Sequence, residues 1–329
     1  MLTVQEVGAV VIGRNEGERL RTCLESLAQN LNYMVYVDSG STDGSVNLAK
    51  KMGVVVMPLD MSQPFTAARA RNAGFKALIT KYTDLKYVQF IDGDCQLAPG
   101  WFEAASTFLE QHTEYAVTCG RRRERFPEKS MYNQLCDIEW DTPIGEATAC
   151  GGDALIRVKA FVQVDGYRDD LIAGEEPEMC FRLRQNGWKI YRLDAEMTWH
   201  DAAITQFWQW WRRSKRAGFA YAAGSDLHGN SEEKYWAKEN RSIIFWGGLL
   251  PILLILLSLL DKWFLIGWGI YLIQIIKIAI FNFHDKHTKK FRFLIACSFI
   301  LSKFPQFMGV VSYHLGRFLK YRTKIIEYK

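Results

Sequence analysis

The sequence predicts an α/β domain followed by a membrane domain, and three observations carry that expectation. Through the first two hundred residues, short apolar runs alternate with amphipathic, helix-like segments, the pattern of strands and helices packed in layers. From Ile243 to Leu260 there are 18 residues without a charge, and from Trp263 to Phe281 there are 19 whose only charge is Lys277. Each run approaches the roughly 20 residues that cross a hydrocarbon layer about 30 Å thick. The charge is also uneven. Residues 285–329 hold ten Lys/Arg against two acids, so the other 284 residues must carry −3 of the total +5.

The elements follow in order. Val7–Gly13 reads as a buried strand, and Arg19–Asn30 as a helix with Leu20, Cys23, Leu24 and Leu27 on one face. Met34–Asp38 is a second strand, Ser45–Met52 a helix, Val54–Leu59 a third strand, Thr66–Thr80 a helix and Tyr87–Asp92 a fourth strand. Ligands of open parallel sheets sit at the carboxyl ends of the strands, and here several of those ends are polar. Helix Pro99–Gln111 and a strand near Tyr115–Cys119 come next, then Arg121, Arg122, Arg123 and Arg125 in what reads as a mobile loop. Glu175–Gln185 is a helix stopped at Asn186-Gly187, and Trp188–Leu193 a strand. Ala203–Gly224 is an aromatic, basic amphipathic helix suited to a membrane interface.

The two apolar runs are joined only by Asp261-Lys262, which makes them a tight transmembrane hairpin. The Lys-rich stretch Asn282–Lys290 marks a cytoplasmic side. Phe291–Gly316, broken by Lys303, Pro305 and Gln306, reads as one or two interface-lying helices in preference to a third span. The domain boundary is expected at 240/241. Seven widely spaced cysteines without a C-x-x-C pair read as reduced thiols, which excludes a disulfide scaffold or zinc knuckle. No signal-peptide pattern opens the chain, so the N-terminal domain is expected in the cytoplasm, at the inner membrane. The tail's basicity suits membrane lipids, and no basic tract in the first domain makes a nucleic-acid groove.

Ile91–Leu97 places Asp92-Gly93-Asp94 at a strand end. Two carboxylates two residues apart can converge on a hard cation such as Mn²⁺ or Mg²⁺, or simply cap a turn. Val37–Ser45 is a second strand running into an acidic Gly/Ser loop, with Asp38 at the strand end and Asp43 placed to cap a helix. Ala67–Gly74 brings Arg69, Arg71 and Asn72 near a helix start, where a guanidinium can pair with phosphate or face solvent.

The order VIGRNEGERL, VDSGSTDGS, ARNAG, IDGD resembles the donor-binding half of the family 2 glycosyltransferases, and Cys150–Ile190 is similar to their acceptor half. The resemblance implies a GT-A fold, Rossmann-like with a mostly parallel sheet, that takes a UDP-, GDP- or dTDP-sugar as donor. It implies that Asn15, Glu16 and Asp38 contact the nucleoside, that Arg71 reaches the donor nucleotide, and that Asp92 and Asp94 hold the metal, Asp94 more directly. In the family an acidic pair opening a helix supplies the general base. Here it is Glu175-Glu176, one methylene longer than the usual Asp, with Glu176 the expected base and Glu175 the alternate. His200 falls where a late His completes the metal sphere in several GT-A enzymes, although a lone His is as readily structural. Gln209–Arg213 resembles the Q-x-x-R-W motif of processive synthases but ends in Arg, which argues against polymer extrusion.

The resulting expectation is an inverting transferase of cell-surface polysaccharide assembly, acting on a hydroxyl of a lipid-linked saccharide. Two alternatives stand beside it. One is transfer directly to polyprenyl phosphate, which needs no base. The other is a non-catalytic membrane module that binds nucleotide sugar.

Overall fold

The computed structural model describes residues 6–281 and 288–319. Packing divides the chain into two compact units, residues 1–205 and 206–329, so the aromatic helix that begins at Phe207 belongs with the C-terminal helices.

The first unit opens with β1 (Val7–Gly13), whose side chains are buried on both faces, as a central parallel strand requires. It continues with α1 (Glu18–Ala28), β2 (Tyr33–Asp38), α2 (Ser45–Lys51), β3 (Val55–Pro58), α3 (Ala67–Lys81) and β4 (Tyr87–Asp92). These strands pair in the parallel order β3-β2-β1-β4. The order reverses between β1 and β4, and their carboxyl ends carry Asn15 and Asp92. That crevice is where a doubly wound sheet binds ligands.

β5 (Cys95–Leu97), α4 (Trp101–Gln111), β6 (Tyr115–Glu124), α5 (Met131–Glu139), β7 (Gly145–Ala147), β8 (Ala154–Arg157), α6 (Val158–Gln163), α7 (Glu175–Gln185) and β9 (Lys189–His200) complete the unit. β8 inserts antiparallel between β4 and β6, β6 runs parallel to β9, and β5 and β7 pair antiparallel with β9. One continuous core of aliphatic and aromatic side chains fills the space between sheet and helices.

Two expectations are corrected here. The arginine-rich stretch is no mobile loop, because β6 runs through Arg121–Arg123 to Glu124. Alternation sends Arg121 to Asp137, at 3.0 Å, and Arg123 to a two-pronged pair with Glu196, at 2.7 Å, while Arg122 points to the other face. Neutralised in this way, the arginines extend the ladder. β9 likewise runs to His200, past Leu193.

The second unit contains α8 (Phe207–His228), α9 (Ala237–Ile244), α10 (Leu250–Leu260), α11 (Gly269–Phe281) and α12 (Lys289–Phe318). A wide turn through Phe245–Leu249 joins α9 to α10 as one rod, and a tight helical stretch, Lys262–Trp268, leads into α11. Among the described residues, three segments are long and apolar enough to cross a membrane: Ala237–Leu260, Lys262–Phe281 and Lys289–Phe318. The hairpin is apolar on its outside, with Leu259, Leu260 and Ile266 among its most exposed residues.

α12 decides between the one and the two helices expected here. It is a single helix with Pro305 inside it. Its inner face is held by close packing: a Cβ on Gly309 would lie 2.1 Å from the Lys215 carbonyl oxygen, and one on Gly218 1.9 Å from that of Gln306. The two glycines therefore let α8 and α12 touch backbone to backbone, which supports the helix through the proline. Residues 282–287, within the Lys-rich stretch read as cytoplasmic, and the basic residues of 320–329 lie outside the described residues.

Candidate active site

β1 and β2 shape the first wall. Asn15, just past β1, adopts a left-handed backbone (φ 58°), a conformation Asn tolerates better than most residues. Its amide N–H donates to Ser41 Oγ at 2.9 Å, and its Oδ1 accepts from the Thr42 N–H at 2.7 Å. Asp38 is buried and accepts from Gly40 N–H (3.1 Å), Ser41 N–H (3.0 Å) and the Tyr36 hydroxyl (3.1 Å). Asn15 and Asp38 thus hold the same Gly/Ser loop from two sides. Glu16 pairs with Arg19 at 2.7 Å, and Asp43 accepts from the Ser45 N–H that opens α2.

β4 ends at Asp92. Arg71 meets it from α3, a helix that sits so close to the sheet that a Cβ on Gly74 would come within 2.4 Å of Val10. The Arg71 guanidinium is almost wholly buried. It contacts Asp92 at 2.9 Å, Glu175 at 3.0 Å and Glu176 at 2.9 Å. Arg71, expected to reach the donor nucleotide, is engaged by three carboxylates that join the Asp-Gly-Asp turn to the start of α7. Burial opposes ionisation of Asp92, but Arg71 and then Arg122 hold its carboxyl below the ordinary range. Glu176 differs: burial first, and then the neighbouring Glu175, push it up to about 7 against the pull of Arg71. A carboxyl poised there can accept a proton near neutral pH.

On the other side of the turn, Asp94 Oδ2 lies 3.2 Å from His200 Nε2. β5 and β9 create this meeting, since Cys95 stands opposite His200 in their register. Ligand atoms of Asp94, Cys95 and His200 fall within 4.8 Å of one another, as do those of Asp92, Cys95 and Asp153. The donor chemistry fits a hard divalent cation at Asp94 and His200. Cys95 stays a thiol, because burial and then Asp153 push it well above its ordinary range.

Four site residues escape the sequence reading. Asp153, fully buried, accepts from the Asp92 N–H at 3.2 Å and the Thr198 hydroxyl at 2.8 Å. Arg122 lies 3.5 Å from both Asp92 and Asp153 with its guanidinium over the Trp140 ring. At Gly152 a Cβ would stand 2.6 Å from Arg71 Nη2, 3.1 Å from Glu176 Oε1 and 3.2 Å from Asp92 Oδ2, so the cluster closes only over a glycine. Cys95 is the fourth. The Gly-Gly-Asp run before an apolar Ala-Leu-Ile stretch was the available signal for Gly152 and Asp153.

The model of glycosyl transferase family 2 matches residues 9–161, a stretch that takes in β1 to β4, the Asp-Gly-Asp turn and Asp153. Just under half of the chain is therefore similar to glycosyl transferase family 2. Asn15, Glu16, Asp38, Arg71, Asp92 and Asp94 lie inside the family 2 match, while Glu175, Glu176 and His200 lie beyond it in the same compact unit. The succinoglycan biosynthesis protein ExoA of Rhizobium meliloti (strain 1021) is 23% identical over 215 residues, which are 60% of this chain and 64% of ExoA, so less than two thirds of that relative's length is spanned. The mannosyltransferase PcManGT from Pyrobaculum calidifontis, solved in complex with GDP-Man and Mn²⁺, shares the fold with a TM-score of 0.57. It is 16% identical, over 94% of this chain and 87% of its own. TarS of S. aureus shares it with a TM-score of 0.51 at 14% identity, over 69% of this chain and 40% of its own.

Proposed function

We propose that this chain is a family 2 glycosyltransferase that moves a sugar, with inversion, from a nucleotide-sugar donor to a hydroxyl of a lipid-linked saccharide during cell-surface polysaccharide assembly. One observation carries the reading. A turn with two carboxylates, a histidine beside one of them and a carboxyl of raised proton affinity converge at the switch point of the sheet. Asp94 and His200, with Asp92 alongside, are the residues that hold Mn²⁺ or Mg²⁺, and the bound ion supplies charge neutralisation for the departing nucleoside diphosphate. Asn15, Glu16 and Asp38 line the nucleoside side, where the loop that Asn15 and Asp38 hold presents backbone and hydroxyl groups. Glu176 takes the proton of the acceptor hydroxyl as that oxygen attacks the anomeric carbon. Arg71 keeps Glu176 and Glu175 in place beside Asp92.

Three features support the finer parts. The name of ExoA places that relative in polysaccharide biosynthesis, and the shared fold holds GDP-Man and Mn²⁺ in PcManGT. Three segments suited to crossing a membrane favour a lipid-linked acceptor at the inner membrane. All seven cysteines are free, and Cys150 and Cys180 stay unbonded with their sulfurs 3.6 Å apart, which suits a catalytic unit in the reducing cytoplasm. Thermal-shift titration of the purified full chain with UDP-, GDP- and dTDP-sugars tests the donor half of the proposal. With Mn²⁺ present, one nucleotide class should raise the unfolding temperature by mass action, and no shift with any of them would sink it.

A further inference from the structure

The strand that carries His200 ends in an unusual segment. Ala203 takes a left-handed backbone (φ 51°), a conformation an alanine holds only where its surroundings over-determine it. The surroundings do so at several points. The Ala202 N–H donates to Glu124 Oε2 at 2.9 Å, and the Ile204 N–H donates to Asn133 Oδ1 at 3.0 Å. Ser130 Oγ donates to the Ile204 carbonyl at 2.5 Å, and the Arg125 N–H donates to the His200 carbonyl at 2.8 Å. Glu124 and Asn133 are themselves buried and joined, Asn133 Nδ2 donating to Glu124 Oε1 at 3.1 Å and to the Phe126 carbonyl at 3.0 Å. A buried carboxylate and a buried amide are thus retained here, and one oxygen of each accepts from a backbone N–H just past His200, at residues 202 and 204.

We propose that Glu124 and Asn133 are positioning residues for His200. They clamp the end of β9 so that Nε2 is presented to Asp94 at the metal site before any ion arrives. The inference rests on the assignment of Asp94 and His200 as metal ligands. Its physical basis is that groups orienting a ligand contribute to affinity without touching the ion, with losses of about 10- to 100-fold when they are removed. Glu124→Gln is the selective probe: Oε1 can keep the Asn133 Nδ2 and Phe126 N–H donors, while the amide that replaces Oε2 faces the Ala202 N–H with a donor of its own. Asn133→Ala, which releases Ile204, is the second variant.

The test is Mn²⁺ affinity of the full-length protein, measured by electron paramagnetic resonance titration without turnover, for wild type, Glu124→Gln, Asn133→Ala, His200→Ala and the double variant Glu124→Gln/His200→Ala. The expected result is a loss of about tenfold for Glu124→Gln or Asn133→Ala, a loss for His200→Ala, and no further loss in the double variant, because Glu124 acts through His200. Losses that add in the double variant, or unchanged affinity in both folded clamp variants while His200→Ala loses it, would overturn the clamp alone. Equal affinity in wild type and His200→Ala would overturn the metal assignment and the clamp with it.

Discussion

Replacing Glu176 by Gln separates catalysis from stability. Burial and the neighbouring Glu175 raise this carboxyl from 4.5 to about 7. A difference of that size disfavours the charged form by roughly 3 kcal/mol at 1.36 kcal/mol per pH unit, as an upper bound for a group tied to Glu175 through a shared arginine. The sign follows from the direction. A carboxyl that binds its proton more tightly in the folded state adds nothing unfavourable below about 4.5, and destabilises the fold progressively as pH rises from there to about 7. Glu176→Gln removes that burden, and the remaining oxygen can still accept from Arg71. The variant is therefore expected to match wild type in thermal unfolding at pH 4.5 and to exceed it at pH 8. Up to several degrees is the scale for a unit of 205 residues, since about 1 kcal/mol moves the midpoint of a domain this size by roughly 2–4 °C. Sugar transfer by the same variant should fall by about 10²–10⁴-fold, the usual worth of a general base. In wild type, kcat/KM should rise with pH through a midpoint near 7 and level off above it, because only the deprotonated carboxyl accepts a proton. Differential scanning fluorimetry across pH, paired with a transfer assay, measures both. A stability difference independent of pH would refute the electrostatic reasoning. Transfer that survives the substitution would refute the base and favour an anionic acceptor such as polyprenyl phosphate.

Other outcomes follow from the same geometry. Arg71→Met leaves Asp92, Glu175 and Glu176 buried without their shared cation, so stability at pH 7 should fall by about 3–5 kcal/mol, with the loss shrinking as pH is lowered and the carboxyls protonate; denaturant titrations at pH 5 and 7 measure it. Gly152→Ala pushes a methyl against Arg71, Glu176 and Asp92. Transfer should drop by roughly tenfold or more through misplaced groups, while far-ultraviolet circular dichroism stays unchanged. Gly309→Leu puts a side chain where the Lys215 carbonyl stands, 2.1 Å from the first added carbon. Protease digestion in detergent should then cut between α8 and α12 faster than in wild type.

Much of the fold is legible because periodicity is a local property. Buried parallel strands such as Val7–Gly13 and Tyr87–Asp92 announce themselves as apolar runs, and Leu20, Cys23, Leu24 and Leu27 mark the inner face of α1. What stays hidden depends on partners distant in sequence. The Arg121–Arg123 stretch looks like a solvated loop until Asp137 and Glu196 neutralise it from α5 and β9. Pro305 looks like a break until backbone contact with α8 supports the helix across it. The site divides in the same way. The carboxylates of the Asp-Gly-Asp turn and of Glu175-Glu176 stand out as residue types at strand and helix ends. The burial of Arg71 among them, the support of Asp153 beneath the turn and the need for Gly152 arise only when β4, β8, α3 and α7 converge.

The central claim is that the Asp-Gly-Asp turn and His200 hold a metal that enables transfer from a nucleotide sugar. It is tested most directly by nucleoside diphosphate release from UDP-, GDP- and dTDP-sugars, using membranes that contain the full chain with and without Mn²⁺ and chelator. The account predicts that one donor class is consumed with Mn²⁺, and that consumption is lost with chelator and in Asp94→Asn. Consumption that persists through both, or no consumption of any donor, would contradict it.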